Sequence, residues 1–337
     1  MIRLATLGLT ALLALPALAA ETLTVHTFLG PKSTTVAGLI QPWAERIEEK
    51  SGGELKVEIF PSMAMGGKPP ELYRQARDGF ADIVWTVTGY TPGVFPRSEV
   101  FELPGVHGGS ALATTLAIQE MMPMIEADFE GLHPLLIHVH KGNALHLAGT
   151  EITGPEGLAG LKLRTPSRTG AWMIESWGAE PVGMPLPALP QALSKGGVDG
   201  ALVPFEIFPP FRLQELTTFS AEGADGSRFG TIVFLFAMNK ERYEALSPGL
   251  RAVIDAVSSQ AFAAEMGALW DEAEAPGMIS QKDAGNLVAT FDGPTMAAFD
   301  ALHRSVVARW IEEADGRGLD GQALVDAAKA AVAKHSR

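Results

Sequence analysis

The stretch "ELKVEIFPSMAMGGKPPELYRQARDGFADIVWTV", residues 54–87, decides the fold class. Apolar and polar residues alternate in its first part, "LKVEIF", which predicts a strand with one buried face. A Pro-Pro pair then opens a helix, where proline is tolerated, and Gly79 ends this helix before a second strand at "ADIVWTV". A strand, a helix and a strand in this order are typical of a parallel sheet with helices on its faces.

The same order of elements extends in both directions along the chain. Upstream, "TLTVHTF" predicts a strand and residues 37–50 predict a helix. Downstream, strands and helices alternate again in "LKLR", "TGAWMIESW", "EPVGM", "PALPQALSKG" and "GVDGALVPF". "TIVFLFAMN", residues 231–239, predicts a strand buried on both faces, and a helical stretch over residues 249–284 should break near Pro276-Gly277. The sequence therefore predicts an α/β protein with two similar lobes.

Composition limits the possible partners. The chain has 337 residues, 47% of them hydrophobic, which is enough for one large or two medium cores. Its formal net charge of −13 argues against nucleic acid and against an anionic membrane surface as partners. An anionic small ligand would meet a repulsive overall field, so it would need a local positive group.

The first twenty residues, "MIRLATLGLTALLALPALAA", have the pattern of a secretory signal peptide. Arg3 gives a positive start, an apolar run follows, and Ala17-Leu18-Ala19 forms an A-x-A cleavage site. We predict export, with a mature chain that begins at Ala20 or Glu21 and does not insert into the membrane after cleavage. The chain has no cysteine, hence no disulfide and no lipid attachment site, so a Gram-negative periplasm is the expected location.

The segment "GLKLRTP", residues 160–166, raises the question of an anion-binding site. Leu161 and Leu163 should anchor a short strand in the core, which leaves Arg164 at the strand's end on the other face. A solvated surface arginine is one interpretation, and a fixed guanidinium for an anionic ligand is the other. We favour the second, because ligands of parallel sheets bind beyond the carboxyl ends of the strands.

Further candidates follow other predicted strands. Trp85 and Tyr90 lie at and just after the end of "DIVWTV", and Phe205 and Glu206 follow "GALVP". Ordinary core packing is the alternative for each of them taken singly. Together with Arg164 they come from both predicted lobes, as a ligand cleft between two lobes requires.

Enzyme signatures are missing from the sequence, which has no G-x-S-x-G elbow, phosphate loop, G-x-G-x-x-G or H-E-x-x-H. "LLIHVHKGNALH" places His138 and His140 on one strand face, with His146 six residues later, and paired histidines at this spacing can bind zinc. No cysteine or nearby carboxylate completes such a site, and the alternative is that the histidines are polar residues on a solvated or cleft-facing strand. We therefore predict no metal and no cofactor.

These segments together make the chain resemble the dicarboxylate-type solute-binding receptors of TRAP (tripartite ATP-independent periplasmic) transporters. The resemblance covers essentially the whole chain after the signal, and it is carried by residues 51–85, "FELPG", "GLAGLKLRTP", "GAEPVGMP" and "ALSKGGVDGALVP". It implies two α/β lobes, each a mainly parallel sheet flanked by helices, with a ligand cleft between them and a long helix that spans both. It also implies that Arg164 holds a ligand carboxylate, that binding closes the lobes, and that the closed form docks on the membrane permease subunits.

On this basis we predict lobe I at residues 21–142 plus 230–270 and lobe II at residues 143–229 plus 271–325. The expected function is a periplasmic receptor that captures a small organic acid and delivers it to a TRAP permease. One alternative is a periplasmic enzyme that acts on such an acid in the same cleft. Another is the receptor of an ATP-driven importer, against which the TRAP-type motifs argue.

Departures from the family pattern surround the predicted site. Ala144 replaces an arginine that is often found there, and His146 lies two residues further along. Leu202 and Val203 replace the glutamate and asparagine of a D-G-x-E-N-P segment, and Ser167 stands where an asparagine is common. We include His146 and Ser167 among the predicted ligand contacts. The changes make the site less polar and favour a smaller or more apolar acid than a sugar acid, while carboxylate and sulfonate both remain compatible with a planar guanidinium.

Overall fold

The computed structural model describes residues 20–336, so the predicted signal peptide lies outside the described residues except for Ala20. The strands of this part of the chain are β1 (Glu21–Thr27), β2 (Leu55–Phe60), β3 (Ile83–Val87), β4 (Leu132–Val139), β5 (Ala144–Leu147), β6 (Lys162–Thr165), β7 (Glu180–Gly183), β8 (Gly200–Val203), β9 (Phe219–Gly223), β10 (Val233–Asn239) and β11 (Leu287–Phe291).

These strands form two sheets, each of which is the centre of one lobe. The sheet of lobe I has the order β2-β1-β3-β10-β4, and the sheet of lobe II has the order β11-β9-β5-β8-β6-β7. Both sheets are mixed. In lobe I β1 pairs in parallel with β2 and β3, while β10 runs antiparallel between β3 and β4. In lobe II β6 is parallel to β7 and β8, while β5 is antiparallel to β8 and β9.

The antiparallel strands arise where the chain changes lobe. It leaves lobe I between β4 and β5 and returns between β9 and β10, so β5 and β10 each enter a sheet from the opposite lobe. β10 is buried along its whole length, since β3 and β4 flank its edges and helices cover both faces of the sheet. This explains the uninterrupted apolar run of its sequence.

Helices cover both sheets. Their bounds are α1 (Gln41–Lys50), which continues a π-helical turn at Thr34–Ile40, α2 (Leu72–Arg77), α3 (Ala111–Ile125), α4 (Arg168–Ser176), α5 (Leu189–Ser194), α6 (Phe208–Phe211), α7 (Lys240–Ala245), α8 (Pro248–Val257), α9 (Gln260–Glu272), α10 (Glu274–Asp283), α11 (Gly293–Asp315) and α12 (Gly321–His335). No helix among residues 20–336 is long and apolar enough to cross a bilayer.

The helical stretch that follows β10 connects the lobes. α9 packs against α3 and β4 of lobe I, and α10 packs against the loop after β8 and against β11 of lobe II. The break between them is at Ala273, three residues before Pro276, because a proline removes a hydrogen bond to the carbonyl four residues earlier and clashes with it. Glycine is needed at position 277 because a Cβ there would overlap the Phe205 carbonyl. The stretch also breaks once more, at Ser258 and Ser259 between α8 and α9.

The two last helices belong to different lobes. α11 packs against α4 of lobe II, whereas α12 packs against α3 of lobe I. The predicted end of lobe II at residue 325 therefore falls inside α12. The lobe limits stay a prediction, and the packing of α12 favours ending lobe II before residue 321.

Candidate functional site

A cavity lies between the two sheets, where the carboxyl ends of β3, β6 and β8 approach one another. About 370 Å³ of space, part of it open to solvent, lies between its lining residues. The lining is mostly apolar and comes from both lobes: Phe28, Leu29, Trp85, Val87, Tyr90, His140, Arg164, Pro166, Leu186, Val203, Pro204, Glu206, Ile207, Ile232 and Phe234. This position agrees with the rule that ligands of α/β sheets bind beyond the carboxyl ends of strands.

Arg164 is the cation of the cavity. It lies on β6 between β7 and β8, and its side chain is only 2% exposed. Its Nε donates a hydrogen bond to the Met184 carbonyl at 3.0 Å, which fixes the plane of the guanidinium. Among residues 20–336 no Asp or Glu forms an ion pair with it, and burial lowers its pKa. A buried cation without a counterion destabilises the folded protein, and an anion bound in the cavity would offset this cost.

Tyr90 adds a second polar group beside Arg164. Its hydroxyl accepts a hydrogen bond from the Leu186 backbone N–H at 2.8 Å, and burial raises its pKa although the nearby Arg164 opposes this shift. Because the oxygen already accepts from Leu186, the hydroxyl proton can be donated elsewhere. A guanidinium and a phenol side by side form a set of donors that suits a carboxylate.

Aromatic rings form one wall of the cavity, which we call the aromatic wall: Tyr90, Phe28, Trp85, Phe234 and His140. Successive ring centroids in this order are 5.6, 5.8, 4.6 and 5.6 Å apart. Trp85 is held by its indole N–H, which donates to His138 Nε2 at 3.0 Å. Such a wall offers large apolar contact area and favourable ring geometries to a flat, unsaturated ligand.

Glu206 lies in the cavity lining but is not a fixed negative charge. Burial and the nearby Glu274 carboxylate raise its pKa to about 8. The carboxyl group is therefore mainly protonated at neutral pH, where it does not repel an anion and can donate a hydrogen bond. Glu274 itself pairs with Arg228 at 3.3 Å and accepts a hydrogen bond from the Glu206 backbone N–H.

Three of the predicted contacts lie outside the cavity lining. Phe205 packs against His146, with ring centroids 4.8 Å apart and planes at 88°, and it does not line the cavity. His146 is fully buried, and both its nitrogens are hydrogen-bonded, to Ser220 Oγ at 2.7 Å and to the Val203 carbonyl at 3.1 Å. Ser167 caps α4 by accepting from the Gly170 N–H. Arg164, Trp85, Tyr90 and Glu206 do line the cavity. Ligand contact by any of these seven residues stays a prediction.

The three histidines of "LLIHVHKGNALH" separate. His138 and His140 lie at the end of the lobe I strand β4, and His146 lies on β5 of lobe II. Within the described residues, no group of three or more His, Asp or Glu side chains is arranged to hold a metal ion.

Several lining residues were not predicted. Phe28 follows β1, Ile232 directly precedes β10, and Phe234 lies on β10. The only available signal was their place next to strand ends, because in an uninterrupted apolar run the sequence does not distinguish a core side chain from one that lines a cavity. For His140 the sequence offers a metal ligand or a polar residue on a solvated or cleft-facing strand, and it does not decide between them.

The lobes touch across the cavity. Besides the Tyr90–Leu186 hydrogen bond, Arg168 of lobe II forms an ion pair with Glu99 of lobe I at 2.5 Å. Thr169 donates to Glu102 at 2.8 Å, and a Cβ on Gly89 would lie 2.7 Å from that of Ser167. The structure therefore has the two lobes closed on one another.

Comparison with known proteins places these features in one family. The sequence model described as "Bacterial extracellular solute-binding protein, family 7" matches residues 25–313. A crystal structure of a TRAP solute binding protein from an unidentified marine microbe, specific for aromatic acid ligands and in complex with 3-hydroxybenzoate, is similar at 41% identity and a TM-score of 0.92 over 95% of this chain and 100% of that chain. The same marine protein in complex with metahydroxyphenylacetate, as a triple surface mutant, gives 42% identity and a TM-score of 0.92 over 94% and 100% of the two chains.

A third structure supports the same conclusion. A TRAP solute binding protein from Rhodoferax ferrireducens, in complex with copurified benzoate, is 38% identical with a TM-score of 0.91, over 94% of this chain and 99% of that chain. The family and these structures are all solute-binding proteins, which favours a receptor over the enzyme alternative.

Proposed function

We propose that this chain, which belongs to family 7 of the bacterial extracellular solute-binding proteins and is a TRAP-type receptor for small organic acids, binds aromatic carboxylates. The observation that carries the proposal is the pairing of one unpartnered buried cation with an aromatic wall in a single cavity. The ligands of the marine and Rhodoferax proteins, which are aromatic acids, support it.

The chemistry of binding follows from the cavity. The carboxylate would accept parallel hydrogen bonds from Arg164 and a further one from the Tyr90 hydroxyl. The ring would pack against the aromatic wall, where burial of apolar area and offset ring contacts stabilise it. Protonated Glu206 adds no opposing charge. Sugar acids fit poorly, because their hydroxyl groups would face Phe28, Val87, Ile232 and other apolar side chains without hydrogen-bond partners.

Location and partners are part of the proposal. The signal-like first twenty residues support a periplasmic protein released by signal cleavage, and the family resemblance supports a TRAP permease as the acceptor of the ligand. We assign residues 21–142, 230–270 and α12 to lobe I and residues 143–229 and 271–320 to lobe II, since each group packs around one sheet. Ligand binding would close the lobes, and the contacts across the cavity would hold them closed.

A thermal-shift screen tests the proposed ligand class. The probes are benzoate, 3-hydroxybenzoate, 3-hydroxyphenylacetate, benzenesulfonate, succinate and glucuronate. A ligand at 100 times its dissociation constant adds about 2.7 kcal/mol to the free energy of unfolding, which raises the melting temperature measurably. We expect shifts with the aromatic carboxylates and none with succinate or glucuronate at equal concentration. Shifts confined to the aliphatic acids would contradict the proposal, and a larger shift with benzenesulfonate than with benzoate would reassign the anionic group.

A further inference from the structure

His140 carries a polar atom without a partner in the cavity lining. The residue follows β4 directly and is fully buried. Its Nδ1 accepts a hydrogen bond from the Gly142 N–H at 2.9 Å, so in the neutral ring the proton lies on Nε2. Nε2 has no hydrogen-bond partner among residues 20–336. A buried N–H donor that is left unpaired destabilises the folded state, and a ligand that accepts from it recovers that loss.

The donor lies at the opposite end of the aromatic wall from Tyr90. Contacts between successive rings lead from Tyr90, which is beside Arg164, through Phe28, Trp85 and Phe234 to His140. A ligand whose carboxylate is at Arg164 and whose ring lies along this wall would direct its far substituent toward His140. The aromatic wall thus connects the cation Arg164, beside Tyr90, with His140, whose buried Nε2 is unpaired.

The charges around His140 favour an uncharged acceptor over a second carboxylate. Burial, together with the neighbouring His107 and Arg228, lowers the pKa of His140 well below its ordinary value, so the ring stays neutral at pH 7. Arg228 is already paired with Glu222 and Glu274. A second carboxylate on the ligand would therefore be buried near His140 without a free counterion, which is unfavourable.

We infer that the receptor selects aromatic monocarboxylates whose ring carries a hydroxyl or another neutral acceptor remote from the carboxylate, and that His140 is the specificity-determining residue. This inference rests on the proposed function, since it takes the carboxylate at Arg164 as given. A site built to hydrogen-bond a polar substituent discriminates strongly against the analogue that lacks it, because its own polar group is then left unpaired.

Calorimetry on two matched variants tests the inference. The wild type should bind 3-hydroxybenzoate or 4-hydroxybenzoate about tenfold or more tightly than benzoate, and isophthalate more weakly than the preferred hydroxybenzoate. His140→Leu should abolish this preference while retaining benzoate binding. His133→Leu is the control, because it removes an imidazole from β4 that stacks on Tyr243 and does not line the cavity, and it should change the affinities for benzoate and hydroxybenzoate by the same factor.

A second measurement needs no substitution. In wild-type protein labelled with ¹⁵N at histidine, the His140 Nε2–H resonance, assigned with a His140→Gln variant, should move on addition of the preferred hydroxybenzoate and less on addition of benzoate. Equal affinities of wild type for benzoate and both hydroxybenzoates, an unchanged preference in His140→Leu, or equal resonance shifts would overturn the inference and leave the proposed function intact. If none of the aromatic acids binds, the proposed function itself fails.

Discussion

The hydroxyl of Tyr90 in lobe I accepts a hydrogen bond from the backbone N–H of Leu186 in lobe II at 2.8 Å, directly beside the Arg164 guanidinium. One oxygen thus joins the two lobes and orients a donor toward the space where an anion would bind. Ligand affinity and lobe closure should therefore depend on the same atom.

Replacement of Tyr90 by phenylalanine tests this dependence. The variant keeps the ring of the aromatic wall but leaves the Leu186 N–H unpaired in the closed form, which costs roughly 1–3 kcal/mol, or on the order of 5- to 150-fold in affinity. Titration calorimetry with benzoate measures the loss, and small-angle scattering measures the radius of gyration with ligand bound. Wild-type affinity in the variant would mean that this hydrogen bond does not contribute to binding.

Arg164→Ala should remain folded and lose most of its affinity for aromatic carboxylates. Removing one partner of a buried charge-assisted pair costs roughly 2–5 kcal/mol, or on the order of 30- to 5,000-fold. Arg164→Lys should recover only part of the loss, since lysine lacks the planar pair of donors. The control is Arg46→Ala, whose exposed ion pair with Glu265 lies on the surface of lobe I and should contribute below about 1 kcal/mol. Binding within threefold of wild type in Arg164→Ala would contradict the assignment.

Arg168 should stabilise the closed form without touching the ligand. It connects lobe II to Glu99 of lobe I, and its side chain is 19% exposed. Arg168→Ala is expected to weaken binding by roughly 1.5–3 kcal/mol and to raise the radius of gyration of the liganded protein. Arg212→Ala serves as the control, because its ion pair with Glu215 is exposed and lies within lobe II. Equal effects of the two substitutions on affinity would argue against a contribution of Arg168 to closure.

Glu206→Gln should change the dependence of stability on pH. The folded-state pKa of Glu206 is raised to about 8, above its ordinary value of 4.5, so the folded protein binds more protons than the unfolded chain between these values. The contribution of Glu206 to the free energy of unfolding is full below pH 4.5. It falls between pH 4.5 and 8, by at most about 1.4 kcal/mol per pH unit, and is constant above pH 8. Guanidinium unfolding of the ligand-free proteins between pH 5 and about 9 checks this. As the pH rises across this window, the variant should gain stability relative to wild type. If the free energies of unfolding of the two proteins instead change in parallel with pH, Glu206 is ionised at neutral pH.

More of the fold than of the candidate site could be predicted from the sequence. Strand and helix periodicity is local, so segments such as "LKVEIF" and "LKLR" lead directly to β2 and β6. The mixed character of the sheets was not predicted from the residues, because the antiparallel insertion of β10 depends on pairing with strands far away in the chain.

Within the site, the sequence identifies candidate residues by their chemistry, but it does not show which way their side chains point. Arg164 stands out as a cation at a strand end. Phe205 and Glu206 are neighbours, yet only Glu206 lines the cavity, and no local pattern distinguishes them. The raised pKa of Glu206 results from burial and from Glu274, which the fold brings close from a distant helix.

The place of β10 has a consequence for the order in which the molecule assembles. β3 and β4 are not hydrogen-bonded to each other, since β10 separates them and comes from a segment made only after the strands β5 to β9. During synthesis, which starts at the amino terminus, the chain therefore cannot complete the first sheet until residue 239 has been made. Until then the inner edges of β3 and β4 are unpaired templates for other chains. We therefore expect the long-range pairing of β10 to slow folding, and the amino-terminal half alone should not be a stable fragment.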